Sequence, residues 1–315
     1  MKRAVLVKKG VFTFSDIKDH METDDFYDVK LGVRYCGICG SDVSKYLENK
    51  KTEYPIILGH EFCGYIKDGP NNLDKKKLYV GIPLLYCGEC HNCRKGNYQL
   101  CTNQKFIGST IPGAMQEYVL TNSKYLLDVD RLSENAELAT LIEPTANVIH
   151  AYKLAPKIKK SDKVVIIGNG AIGSLLAIVL DKYGIKNIDI LNRQNEGVQS
   201  NYDVCFECSG TIGGFEKALK VTKYRGTIVQ LGIIYANCFN NCSLDFDLLL
   251  RKEIKIIGSW NSNFTTDWED AYKVIADNQK EFLNVIDLIY PIEKVNEAFE
   301  LKTTTPIKKI VLKIA

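Results

Sequence analysis

Cys87, Cys90, Cys93 and Cys101 follow one another at the spacing C-x2-C-x2-C-x7-C in a stretch rich in glycine and polar residues. Four thiolates so close along a chain can close a tetrahedral shell around one zinc ion, and a closed shell is structural because it leaves no position for a substrate. A set of unrelated buried cysteines is the alternative. An iron–sulfur cluster is a weaker one, because its usual C-x2-C-x2-C-x3-C-P run is not met. His91, inside the loop, reads as solvated. The chain holds 11 cysteines, and the few apolar residues between Arg3 and Lys8 are too short for a secretory leader. That combination points to thiolates kept reduced for metal binding rather than to disulfides.

A length of 315 residues exceeds what one hydrophobic core usually covers, so two domains are expected. Up to about residue 145 the sequence runs in short apolar stretches, among them 4–7, 29–34, 63–66 and 117–120, broken by Gly, Pro, Asn and Lys. This pattern predicts a β-rich domain. From Lys163 strands alternate with helices: strand 164–167, helix 171–183 ended by Gly184, strands 185–191 and 202–206, helix 215–221, and strands 227–231 and 254–257. Such alternation implies a parallel sheet with right-handed crossovers. The tail from Val285 is predicted to carry one short helix, 295–301, and a last strand, 308–313.

Composition excludes more than it selects. Lys+Arg 41 against Asp+Glu 38 gives no electrostatic case for nucleic acid or a membrane surface. No run approaches the ~18 apolar residues of a membrane span, and the expected location is the cytoplasm.

Two further constellations carry chemistry. Cys39 in Cys36-Gly37-Ile38-Cys39-Gly40-Ser41-Asp42, His60 in Gly59-His60-Glu61, and Glu143 in Ile142-Glu143-Pro144 offer one thiolate, one imidazole and one carboxylate. That incomplete shell suits a catalytic zinc, which keeps a position for water or a substrate oxygen. Gly168-Asn169-Gly170-Ala171-Ile172-Gly173 matches G-x-G-x-x-G between a predicted strand and helix, the context in which it binds a dinucleotide. Its glycines let the backbone approach a pyrophosphate at the helix N-terminus.

In this order, over nearly the whole chain, Cys39-Gly40-Ser41-Asp42, Gly59-His60-Glu61, the four-cysteine lobe, the glycine turn and Tyr290-Pro291 resemble the zinc-containing medium-chain dehydrogenase/reductase family. Residues 54–62, Phe106-Ile107-Gly108-Ser109, Ile142-Glu143-Pro144 with His150-Ala151, and Leu250-Arg251-Lys252-Glu253 before Ile257-Gly258-Ser259-Trp260 are similar to its polyol branch, the galactitol-1-phosphate 5-dehydrogenases and sorbitol dehydrogenases. The resemblance implies a GroES-like catalytic domain over 1–148 with a structural zinc lobe, a Rossmann-type doubly wound cofactor domain over 149–284, and a return segment over 285–315. It implies two zinc ions, NAD(P)(H), and hydride transfer at a secondary hydroxyl or ketone of a polyol, polyol phosphate or ketose phosphate, in a homodimer or homotetramer. Glu143 should face the metal in place of a second cysteine, Asp42 should orient His60, and Ser41 should pass the substrate proton outward. Glu61 is either a fourth ligand or a carboxylate that exchanges with water. Leu231 and Gly232, ending the strand 227–231, are expected beside the cofactor with Gly168, Gly170, Ala171, Ile172 and Gly173.

Three departures shape the expectation. Ser44 stands where the sorbitol enzymes carry a proton-relaying histidine, so release must use water or the cofactor ribose. Only about ten residues, up to ~33 Å if extended, separate the second strand from Asp203-Val204-Cys205-Phe206-Glu207, which predicts a sheet lacking one edge strand. Asn192-Arg193 replaces the acidic residue that binds the ribose diol of NAD, so NADP is favoured. Cys205 and Cys208 mimic C-x2-C, but on a strand they point to opposite faces, and Cys36 reads as a strand residue. The competing functions are a zinc dehydrogenase of simple or amino-acid alcohols such as threonine, and a non-catalytic descendant that binds without turnover. A zinc-ribbon nucleic-acid module lacks the basic face it would need.

Overall fold

A computed structural model describes residues 2–14, 26–49, 51–192, 200–235 and 245–315. The chain forms two compact units, one of residues 1–143 and 275–315, the other of 144–274. Against the expected divisions after 148 and 284, these fall inside two helices, α3 (Ile142–Leu154) and α7 (Asp267–Asp277). Neither helix is apparent from hydrophobic runs alone. Pro144 is tolerated in α3 because it occupies the first turn, where the missing N–H has no intrahelical partner.

In the first unit β1 (Ala4–Lys8) and β2 (Val11–Phe14) make an antiparallel hairpin. The main sheet has seven strands: β3 (Val29–Gly37), β4 (Glu61–Asp68), β5 (Leu78–Gly81), β8 (Tyr118–Thr121), β9 (Leu126–Asp128), β15 (Ile286–Pro291) and β16 (Lys309–Lys313). They run in the order β15-β16-β3-β4-β5-β9, with β8 also on β3. A short ribbon, β6 (Leu84–Leu85) with β7 (Lys105–Phe106), brackets the cysteine lobe. The helices of this unit are α1 (Gly40–Tyr46), α2 (His91–Arg94), α8 (Gln279–Leu283) and α9 (Val295–Thr304). Central β3 fixes the site through register: Gly37 pairs with Glu61 of β4 on one side and with Val311 of β16 on the other.

The second unit is a parallel sheet of β10 (Val164–Ile167), β11 (Ile188–Leu191), β12 (Tyr202–Glu207), β13 (Thr222–Gln230) and β14 (Lys255–Gly258), ordered β11-β10-β12-β13-β14. Between them run α4 (Ala171–Lys182), α5 (Ile212–Val221) and α6 (Phe246–Arg251). Every residue of β10 is buried, as expected of a strand covered on both faces. Val165, Ile167, Cys205, Leu219 and Ile228 share one core cluster. Among the described residues β11 is the edge, in keeping with a five-stranded sheet. It starts at Ile188, later than the apolar run suggests, because Gly184 is left-handed at φ +83° and the Ile185 N–H returns to Leu180 O at 2.9 Å. Ile185 thus closes α4 with a hydrophobic cap instead of opening the strand.

Candidate functional site

The cysteine lobe is assembled from a loop, the short α2 and the turn before Cys101. Cys87 Sγ lies 3.6 Å from Cys101 Sγ and 4.0 Å from Cys93 Sγ, and Cys90 Sγ lies 4.0 Å from Cys101 Sγ. A tetrahedron with zinc–sulfur bonds of ~2.3 Å has edges of about 3.8 Å, so the four sulfurs fit one zinc ion. They are free thiols, far from the ~2.05 Å of a disulfide. Backbone N–H groups of Cys87 and Cys90 donate to Cys101 Sγ and Cys87 Sγ at 3.4 Å each. The N–H groups of Cys93 and Thr102 pull the Cys90 thiol down to about 5, whereas burial pushes Cys93 up to about 12. A cation bound here would displace the protons that remain on these sulfurs, since a zinc-binding thiol ligates as thiolate.

The second cluster brings together Cys39, His60 and Glu61, whose ligand atoms all lie within 4.8 Å of one another. Cys39 is the N-cap of α1. Its N–H donates to Asp42 Oδ2 at 3.1 Å, and Asp42 Oδ1 stands 3.5 Å from His60 Nδ1. Asp42, fully buried, therefore holds the Cys39 backbone by a hydrogen bond and faces His60 at ion-pair distance. Burial opposes its charge, but His60, Lys45 and the Cys39 N–H outweigh that and hold its carboxyl below the usual range. Burial likewise opposes a charged His60, yet the carboxylate of Asp42 and the sulfur of Cys39 hold its pKa well above the ordinary value. A thiolate, an imidazole and a carboxylate form a donor set suited to zinc.

Glu61 has a second partner that the sequence pattern does not reveal. Lys309 of β16, only 3% exposed, places Nζ 2.6 and 2.8 Å from the two carboxylate oxygens. Burial disfavours its charge, but Glu61, Cys39 and Glu143 together raise its pKa. The buried ammonium and the ligand cluster thus share one carboxylate. Glu143, at the start of α3, lies near enough to act on Lys309 but is not in the 4.8 Å group with Cys39 and His60. Ser41 and Ser44 both lie in α1, Ser44 buried and Ser41 half-buried.

In the second unit Gly168 turns the chain out of β10 at φ +105°, with its N–H on Leu191 O at 2.8 Å. Gly170 caps α4, Ala171 and Ile172 form its first turn, and Gly173 is buried against the Gly168 carbonyl, where a Cβ would overlap it. The Leu231 and Gly232 N–H groups both donate to Glu207 O at 2.9 Å. Asn192 follows β11, and its carbonyl accepts Lys217 Nζ at 2.8 Å. Arg193 lies outside the described residues. Cys36 is a buried residue of β3, and Cys205 is buried in β12 with Cys208 just past its end. Among the described residues these three join neither ligand cluster.

Residues 25–131 match the alcohol dehydrogenase GroES-like domain, and residues 177–277 match the zinc-binding dehydrogenase family. The chain is 29% identical to D-arabitol-phosphate dehydrogenase of Enterococcus avium, over 91% of this chain and 89% of that protein. It is 26% identical to sorbitol dehydrogenase of Halalkalibacterium halodurans over 100% of both. The crystal structure of galactitol-1-phosphate dehydrogenase from Escherichia coli is similar with a TM-score of 0.86 at 25% identity, covering 99% of this chain and 100% of that one. Matched on both units, and by relatives that run its whole length, the chain belongs to the zinc-containing medium-chain dehydrogenase/reductase family and is a zinc-dependent oxidoreductase.

Proposed function

We propose that this enzyme transfers a hydride between NADP(H) or NAD(H) and a secondary hydroxyl or ketone carbon of a polyol or polyol phosphate. The observation that carries the reading is the mixed donor set of Cys39, His60 and Glu61 within 4.8 Å, which leaves a tetrahedral position open where the cysteine lobe leaves none. The relatives named for D-arabitol phosphate, sorbitol and galactitol 1-phosphate support the substrate class. An oxygen donor beside one cysteine also suits oxygen-rich ligands better than a set of thiolates does.

Zinc held by Cys39, His60 and one carboxylate, Glu61 or Glu143, would supply Lewis acidity to a substrate oxygen. Asp42 orients His60. Ser41, in the same turn as Asp42, accepts the substrate hydroxyl proton as it gives up its own, and with Ser44 in place of a histidine that second proton leaves through water or the cofactor ribose. Gly168, Gly170 and Gly173 bring the pyrophosphate against backbone at the N-terminus of α4, with Ala171, Ile172, Leu231 and Gly232 beside it. The cysteine lobe holds a second, structural zinc. The enzyme works in the cytoplasm as a homodimer or homotetramer. Among the described residues no helix is long and apolar enough to cross a membrane.

The test is turnover on a pentitol or hexitol phosphate, its ketose phosphate, the unphosphorylated polyols, threonine and a short primary alcohol. Activity greatest on a polyol or its phosphate is expected. Dominant activity on the short alcohol or threonine would reject the substrate class. NADPH should bind more tightly than NADH, because Asn192 does not repel a 2'-phosphate and Arg193 can pair with it. Arg193→Asp should erase the preference, by roughly tenfold or more for a charge-assisted contact. Equal fluorescence-titrated affinities for the two reduced cofactors would refute this assignment.

A further inference from the structure

Glu207 ends β12, the middle strand of the parallel sheet, and its side chain is fully buried. A buried carboxylate is costly unless every lone pair finds a donor, and this one finds four. Oε1 accepts the Ser209 N–H at 2.8 Å and the Ser209 hydroxyl. Oε2 accepts Gln230 Nε2 at 2.6 Å and the Gly210 N–H at 3.2 Å. The Ser209 oxygen in turn lies 2.9 Å from Thr211 Oγ1, which caps α5 by accepting the Gly214 N–H at 3.0 Å. One carboxylate therefore ties together the turn after β12, the start of α5 and the end of β13, where Gln230 Nε2 also donates to Gly232 O at 2.7 Å.

Those segments border the dinucleotide fingerprint. A Cβ on Gly168 would stand 3.0 Å from Ser209 N, and one on Gly214 or Gly232 would stand 2.6 Å from a Glu207 carboxylate oxygen. The glycines thus leave the room that the carboxylate and its turn occupy. β10, β12 and β13 are neighbours, and the crevice beyond the carboxyl ends of such strands is where open parallel sheets bind ligands.

We propose that Glu207 is a positioning residue of the cofactor site, holding the 208–211 and 230–232 backbone in the shape that receives the dinucleotide while touching neither cofactor nor substrate itself. The inference rests on the dehydrogenase reading above. It requires an acceptor on both oxygens: an amide in place of the carboxylate would turn an N–H toward the backbone N–H of either Ser209 or Gly210, which can only donate. The Glu207→Gln substitution keeps almost the same side-chain volume and still misplaces both segments.

The test measures NADPH and NADH affinity by nicotinamide fluorescence for the zinc-loaded parent, Glu207→Gln and the milder Ser209→Ala, at a temperature where far-UV circular dichroism shows each to be folded. Glu207→Gln should weaken cofactor binding by roughly tenfold or more and Ser209→Ala by roughly threefold or more. Zinc content should not change, and KM for the polyol at saturating cofactor should stay within about twofold, a split that a general loss of stability would not produce. If Glu207→Gln does not fold, Ser209→Ala decides. Parental affinity in the folded variants overturns the positioning role, whereas a parent that binds neither cofactor overturns the dehydrogenase reading and this inference with it.

Discussion

Cys39→Ser should lower turnover at saturating substrate at least about a thousandfold and reduce the zinc content from two ions per chain to one, with little change in melting temperature. A serine hydroxyl is not ionised near neutrality and is a poor zinc ligand, so the Cys39, His60 and Glu61 cluster loses its strongest donor. The magnitude follows from acidity: a bound zinc ion lowers the pKa of a coordinated water from 15.7 to about 7, and forfeiting even three of those units costs about a thousandfold. Stability should be spared because Cys39 is half-buried at a helix cap, and its backbone N–H still reaches Asp42. Zinc measured by atomic emission together with steady-state kinetics checks both halves. Retention of two zinc ions with turnover within tenfold of the parent would remove Cys39 from the catalytic site.

The contrast between the two candidate ligand clusters explains what can be read from sequence. All four sulfurs of the lobe come from one short segment, so spacing alone brings them into reach. The glycine turn is equally local: β10, Gly168 to Gly173 and α4 are consecutive. The site around Cys39 is not. The carboxylate nearest Cys39 and His60 is set by sheet register, since Gly37 opposite Glu61 brings that side chain beside Cys39, and a motif naming both Glu61 and Glu143 cannot rank them. Lys309 is hidden for a similar reason. A lysine at the start of a strand reads as solvated, yet β16 runs along β3 and carries it into a buried ion pair with a residue 248 positions away. Glu207 reads as the polar end of an apolar run, and only the folding back of residues 208–211 and 230–232 supplies its four donors.

Element boundaries shift where local polar groups compete with the apolar pattern. β13 begins at Thr222, where it pairs with Tyr202 of β12, well before the apolar stretch at Thr227, and the register shifts between the two where Arg225 is left-handed at φ +59° and its N–H bonds Lys252 O at 2.7 Å. The amphipathic α7 is announced less by hydrophobic residues than by Asp267, a buried carboxylate that accepts the Asn263 N–H at 2.8 Å, lies 2.9 Å from His150 Nδ1 and accepts Lys153 Nζ at 2.7 Å. These partners hold its pKa below the ordinary value against the opposing effect of burial. His150 and Lys153 lie in α3, so the network fastens α7 to α3 inside the second unit.

Cys101→Ser should act in the opposite sense to Cys39→Ser: one zinc ion is again lost, but the melting temperature falls by about 10 °C. Structural zinc contributes to folding outright, with apparent binding energies on the order of 10 kcal/mol in small zinc domains. The lobe around Cys101 has few apolar residues of its own to compensate. It leans on the protein through aromatic packing, with Tyr86 and Tyr98 centroids 4.4 Å apart, Tyr86 and Tyr125 5.3 Å apart, and the Tyr125 hydroxyl donating to Tyr86 O at 2.7 Å. Tyr125 is fully buried, so unfolding the lobe uncovers part of the core of the first unit. A loss of about 3 kcal/mol or more is expected from that exposure together with the lost ligand, and at about 2–4 °C per kcal/mol it gives the predicted shift. Catalysis measured well below the transition should fall far less than in Cys39→Ser, since the lobe offers no open coordination position. Calorimetry, zinc analysis and proteolysis of residues 87–105 check the prediction. An unchanged melting temperature after loss of that zinc would deny the lobe a structural role.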